Sequence, residues 1–402
     1  MPISANKKKI AMDMLLNIVA TAIPTFVLQL LLLPKLAGHM SDDAYGLLVT
    51  ILALLNVVPA TMGNTLNNVR LIMGEKADSY AAVRNYNVLL LLMAGVNLLA
   101  VGFFSYYYEH SITLISLSLT LTVSVLWLLR EYYLVAFRIR INYFHITISN
   151  IIMVLGYGVG YGVFLALGHW QFIYLFGHLF SLIYIFRKSE LWREPLKVDR
   201  QFKPVSVQTT LLFLAGMLTR ITTYADKMLV FPILGGAAVS VYYAATLFGK
   251  IVSMVITPVS GVMLSYLAKY ERKNDSLFRL TLLVGSGLCI VGYASCVAIS
   301  RPVLALLYPQ FVDDAMQFIW LTTGTMVLTA LISLLNPFVL KFFDMKWQIV
   351  INGIYALVYV GLSMSLLGVW GLKGFCVGAL AATGMKLGFT LVIYRRGKQR
   401  ES

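Results

Sequence analysis

The chain has 402 residues, of which 59% are hydrophobic and only 12% charged, against roughly 25% charged in a soluble domain. A mean hydropathy of +0.80 excludes a water-soluble globule, because too few polar side chains remain to cover its surface. The formal net charge is +15, and whether that excess marks a nucleic-acid surface or a membrane topology depends on where the basic residues fall.

A hydrocarbon layer about 30 Å thick takes roughly 20 apolar residues in helix, since every amide inside it must be bonded within the segment. Stretches of this kind predict spans at 11–34, 43–66, 86–106, 112–136, 146–167 and 169–186, then at 207–233, 238–264, 279–299, 315–339, 347–367 and 370–394. The first follows Lys7, Lys8 and Lys9, as a signal peptide would. It runs too long and lacks a small-residue cleavage site, so a retained helix is expected. Pro24, Pro59, Pro258 and Pro337 fall within spans, where they predict kinks. In the fifth span Gly156, Gly158, Gly160 and Gly162 alternate. No strand precedes them and no Gly-Lys-Ser/Thr follows, so they read as two interleaved G-x-x-x-G packing pairs rather than a phosphate loop.

The longest connection, 187–206, carries six basic residues with Pro195 and Pro204. It divides the chain into an N-terminal lobe, 1–200, with spans one to six, and a C-terminal lobe, 201–402, with spans seven to twelve, and it reads as a hinge between them. The expected fold class is therefore all-α: a polytopic membrane protein of about twelve transmembrane helices in two six-helix lobes.

Sorted by these spans, the basic residues collect on the side shared by both termini. Only Lys35, Arg301 and Lys373 fall opposite, while Arg220, Lys227, Lys250 and Lys386 lie inside spans. Positive loops resist translocation, so the basic side is expected to be cytoplasmic, with both termini there, and nucleic acid need not be invoked. The halves also repeat: Pro34, Gly38, Tyr45 and Gly63 are matched by Pro232, Gly236, Tyr243 and Gly261, each 198 residues on. Repeats of the same orientation imply lobes related by an axis along the membrane normal, with a substrate path between them.

Ionisable side chains at membrane depth are costly and point to function. Arg220, deep in span seven, is expected to face a wet interior. Lys227 lies on the same helical face, and either snorkels or joins it. The same two readings apply to Lys250 and Lys386. Asp226 either forms a salt bridge with Lys250 or couples transport to an ion such as H⁺ or Na⁺. Glu131 and Asp13 are read as interface charges, with a salt-bridge or coupling role as the other reading, and the adjacent acids 42–43 and 313–314 are read as solvated loop charges. A net positive interior suits a phosphate or pyrophosphate headgroup. Cys289, Cys296 and Cys376 lie inside spans and the five histidines are scattered, so neither a metal site nor a cofactor is indicated.

Four segments carry a family resemblance. LLLLPKLAGHMSDDAYGLLVTILALLNVVPATMGN at 30–64 and YADKMLVFPILGGAAVSVYYAATLFGKIVSMVITPVSGVM at 224–263 are two of them. LLREYYLVAFRIRINYFHITISN at 128–150 and LALLYPQFVDDAMQFIWL at 304–321 are the others. They resemble Wzx-type polysaccharide flippases of the multidrug/oligosaccharidyl-lipid/polysaccharide (MOP) exporter superfamily, including the aspartate before the second-half turn, matched by Asp226. The resemblance implies a MATE-like fold in a bacterial cytoplasmic membrane. It also implies flipping of an undecaprenyl-pyrophosphate-linked glycan by alternating access, alongside polymerase and glycosyltransferase machinery. Arg220, Lys227 and Lys250 would then face the substrate. The alternatives are a drug or ion-coupled exporter of the same superfamily and, third, a membrane glycan-modifying enzyme.

Overall fold

In the computed structural model the described residues are 22–74, 81–109, 112–140, 142–196, 198, 202–267, 273–343 and 345–396. The start of the first span, with Asp13, lies outside them. Among the described residues the fold is helical, with no β-strand. Helix α1 is Ala22–Ala37, α2 Asp42–Ile72 and α3 Ala81–Tyr108; α4 is Leu114–Ile139, α5 Tyr143–Leu167 and α6 Gln171–Lys188. One continuous helical run, 202–267, turns back at Gly235 and supplies α7 (202–234) and α8 (236–267). Asp275–Leu307 is α9 and Val312–Phe342 is α10, and a second continuous run turns at Gly371 to give α11 (345–369) and α12 (372–396). Both turning glycines have left-handed φ, 79° and 57°, where a Cβ is strained. Twelve helices thus stand where twelve spans are expected.

Caps explain several boundaries. The side chains of Thr113, Asn142 and Asn274 accept backbone N–H bonds at the starts of α4, α5 and α9. Asp42–Asp43 and Asp313–Asp314 occupy the first turns of α2 and α10, where their charge meets the positive helix end. This corrects their assignment to loops. The chain bends at Pro59, where α2 is interrupted after Val57, and widens into a π-turn, Leu28–Leu32, one turn beyond Pro24.

The described residues pack as two compact units. The first holds 22–36 and 47–232, that is α1 to α7, without the first turn of α2. The second holds 37–46 and 233–396. The change of unit therefore falls at Pro232, beyond the 200/201 point of an even split of spans. Helix α7 is held in the first unit by Tyr224, whose hydroxyl donates to Asn56 Oδ1 on α2 (3.2 Å), and by Tyr108, which donates to the Met228 carbonyl (3.3 Å). The 187–206 connection is also tied to this unit, through Glu194. Interhelical hydrogen bonds such as Asn97 to Ser124 (2.9 Å) and Gln171 to Ser116 (2.7 Å) replace the hydrophobic drive that lipid cannot supply.

In the second unit, positions one repeat apart touch each other. Ser240 Oγ donates to the Asp42 carbonyl (2.6 Å), and the rings of Tyr45 and Tyr243 meet edge-on with centroids 6.0 Å apart. Both pairs are separated by 198 residues, the repeat length read from the sequence. A Cβ on Gly46 or Gly236 would strike backbone across this contact, so the first turn of α2 and the start of α8 meet main chain to main chain. Elsewhere in the unit Phe278 stacks on Tyr394 (centroids 3.5 Å) over Phe338, at the core of an apolar cluster with Leu335 and Val339.

Only one of the two expected glycine pairs in α5 is a packing face. A Cβ on Gly156 or Gly160 would run into the α6 backbone at Phe176–Gly177 and Phe172–Ile173, whereas Gly158 and Gly162 have open space. Gly160→Leu is expected to lower the detergent-solubilised protein's stability by about 1–3 kcal/mol, and Gly158→Leu to leave it nearly unchanged, as measured by thermal unfolding.

Candidate functional site

Every described charge flagged in the sequence has a specific setting, and the settings differ. On α7, Arg220 is half-buried one turn before Tyr224 and interacts with its hydroxyl. That hydroxyl is the one bonded to Asn56, whose amide also donates to the Leu52 carbonyl (2.9 Å). Among the described residues no carboxylate pairs with Arg220. The group it meets is a phenol, polar but neutral, which is bonded in turn to an amide.

Two turns further, Asp226 and Lys227 are both buried and satisfy each other. The Lys227 ammonium donates to Asp226 Oδ2 (2.5 Å) and the Lys227 backbone N–H to Oδ1 (2.9 Å). Adjacency in sequence lets Asp226 fold back on its own neighbour, a pairing that the sequence reading, which weighed Lys250 as its partner, did not include. Lys227, read as a substrate-facing cation, carries a counter-ion at contact distance.

In the second unit, Lys250 lies over the Tyr243 ring, its ammonium 3.0 Å from the centroid, and Lys386 lies over Tyr355 at 4.3 Å. Cation–π contact offsets part of the charge's desolvation without cancelling the charge. The Lys386 setting continues as an aromatic row, Tyr355 to Tyr359 (5.6 Å) to Phe375 (6.1 Å).

Two polar centres in the first unit were not singled out from the sequence. Helix α2 runs past the expected end at 66, so Arg70 is not in a loop but buried on the helix. It grips Glu194 with both terminal nitrogens (2.6 and 2.8 Å), donates to Tyr132 (2.7 Å) and lies over Tyr86. Asn87 binds the Glu194 carbonyl (2.8 Å). The second centre is Arg130, also counted among loop cations. It bonds Glu131 (2.7 Å), Ser181 (3.0 Å) and Asn150, while Asn67 binds the Glu131 carbonyl (2.8 Å). Glu131 is thus a counter-ion inside the helix packing rather than an interface charge. The available signal was an acid among the basic residues of the 187–206 connection, and an Arg-Glu pair at the end of an apolar run.

The sequence matches no protein-family model and no curated protein. Solved structures do match. A multidrug resistance MATE family transporter of the MOP superfamily, in an inward-facing conformation, superposes with a TM-score of 0.68 at 12% identity, over 94% of this chain and 98% of that one. The fold is that of MOP-superfamily transporters. The lipid II flippase MurJ in its inward closed conformation is equally similar, with a TM-score of 0.69 at 14% identity over 94% and 87%. The Vibrio cholerae MATE transporter VcmN in its bent form follows at 0.57 and 13%, over 98% and 97%. These neighbours are transporters and a flippase rather than enzymes, and with the helical spans they make the chain an integral membrane protein.

Removing one member of a buried pair leaves a charge stranded, at about 3–5 kcal/mol, whereas removing both is nearly neutral. Arg70→Ala is therefore expected to destabilise the protein by that amount. Breaking the exposed Arg301–Asp313 pair (3.2 Å, side chains 70% and 89% exposed) should cost under about 1 kcal/mol. Asp226→Asn should likewise destabilise, and Asp226→Asn with Lys227→Met should recover most of the loss. Thermal unfolding in detergent measures all four.

Proposed function

We propose that the protein is a flippase that carries a polyprenyl-pyrophosphate-linked oligosaccharide across a bacterial cytoplasmic membrane by alternating access, for surface polysaccharide export. The observation that carries this reading is Arg220, a half-buried guanidinium deep in a spanning helix whose partners among the described residues are neutral. A permanent cation held there by the Tyr224 hydroxyl, with no counter-ion among the described residues, suits an anion, and a planar guanidinium suits phosphate oxygens. Within the second unit, Lys250 and Lys386 are two further cations at membrane depth, each over a tyrosine ring, whereas Lys227 carries Asp226 as its counter-ion and is left out of the proposed substrate set. Both termini are assigned to the cytoplasm by the loop charges. The Asp226–Lys227 pair is a possible coupling site for H⁺ or Na⁺ only if it opens during transport.

The fold is shared with drug exporters and a lipid flippase alike, so it does not choose between them. The sign of the Arg220 charge supports the flippase reading, since a site for organic cations calls for acids where this chain has an arginine. Arg220→Ala is expected to reduce flipping of the lipid-linked glycan about ten- to a hundredfold, the worth of one charge-assisted hydrogen-bonded contact. Arg220→Ala with Lys250→Ala should abolish it, with insertion unchanged. The check is leaflet accessibility of the undecaprenyl-linked repeat unit in cells that lack the chromosomal copy. Full export by the double variant rules the reading out.

A further inference from the structure

The cytoplasmic end of the first unit, in the orientation proposed above, carries a second cationic feature that no transport step uses. Helix α6 ends at Lys188, and the chain makes a single 3₁₀ turn, Leu191–Arg193. With the end of α4 this turn encloses a basin of about 430 Å³ lined by Arg140, Arg187, Lys188, Glu190, Trp192 and Arg193. Glu194, the next acid along, is held away by Arg70. Four cations therefore face one carboxylate. Even with the roughly half negative charge of a helix C-terminus added, the basin keeps a positive excess of more than two charges.

Its floor is built rather than incidental. The Trp192 indole N–H donates to the Phe186 carbonyl (3.3 Å), its ring lies 5.9 Å from Phe186, and the Arg193 guanidinium sits 5.0 Å from the indole. Phe186 is itself packed edge-on against Tyr133 (5.1 Å). The turn is closed by Ser189, whose hydroxyl accepts from the Leu191 N–H (3.2 Å). Trp192 nonetheless stays 45% exposed, as an aromatic anchor at headgroup depth would. Apolar side chains flank the rim: Ile183, one turn before Arg187 on α6, is exposed, and so is Ile139, next to Arg140. Cations above an exposed apolar wall match a molecule with a phosphate at one end and acyl chains at the other.

We propose that this basin is a binding site for the phosphate headgroup of an anionic membrane phospholipid, with the acyl chains lying along Ile139 and Ile183. It requires only that α6 span the bilayer, and holds whether or not the protein flips a glycan lipid. The purified full-length protein is titrated with phosphatidylglycerol or phosphatidylcholine in detergent, and retained lipid is counted by native mass spectrometry. The wild type is expected to retain phosphatidylglycerol in preference to phosphatidylcholine. The variant Arg140→Gln/Arg187→Gln/Arg193→Gln should bind phosphatidylglycerol at least about tenfold more weakly, and Glu190→Gln more tightly. Millimolar inorganic phosphate should not displace the lipid. Equal retention of both lipids, wild-type retention by the triple variant, or no tightening in Glu190→Gln each overturns the proposal. Displacement by inorganic phosphate overturns it too, by making the basin a site for free anions.

Discussion

The organising constraint is that a charge taken into hydrocarbon must find a partner there or reach water. Each buried cation of this protein meets it differently. Arg70 is met by the Glu194 carboxylate and the Tyr132 hydroxyl, and Arg130 by carboxylate, hydroxyl and amide groups from α4, α6 and α5. Those contacts are why α2 and α4 stay helical beyond their apolar runs. Lys227 is matched by the residue beside it, and Lys250 and Lys386 rest on aromatic faces. Arg220 interacts with the Tyr224 hydroxyl, and among the described residues it has no carboxylate at ion-pair distance; the proposed substrate role rests on that difference.

The same constraint links the helix geometry to the transport reading. Helix α7 carries Arg220 yet packs in the first unit, and the chain passes to the second unit at Pro232, just before the Gly235 turn. The residue proposed to meet the substrate thus sits on the helix through which the chain leaves one compact unit for the other. The contact between Tyr45 and Tyr243, one repeat apart, occurs where the second unit takes in the first turn of α2.

The helical fold was largely legible in the sequence because it rests on length and apolarity, and those need no knowledge of partners. Twelve apolar runs became twelve helices, and the runs at 207–233 and 238–264 correspond to α7 and α8 on either side of Gly235. What was not legible depended on pairing. The charge at 70 looks like a loop residue because a hydropathy window ends at a charge, yet Glu194, more than a hundred residues from Arg70, lets that arginine stay in the helix. The glycine alternation in α5 likewise showed that a helix packs closely, but which pair faces the neighbour depends on where α6 lies. Of the intramembrane charges, Arg220 stands in mid-helix as expected, while the Asp226–Lys227 pair was not read, since nothing in a linear pattern marks a bond between neighbours one residue apart.

The account depends on Arg220 being reachable from water and from an anion. The direct measurement replaces it with cysteine in a chain whose Cys289, Cys296 and Cys376 have been changed to serine or alanine, and follows labelling in membranes. Reaction with a charged, membrane-impermeant thiol reagent, slowed when a polyprenyl pyrophosphate is present, is the predicted result. Labelling only by a lipid-soluble reagent, indifferent to the pyrophosphate, would place the position against acyl chains and contradict the account.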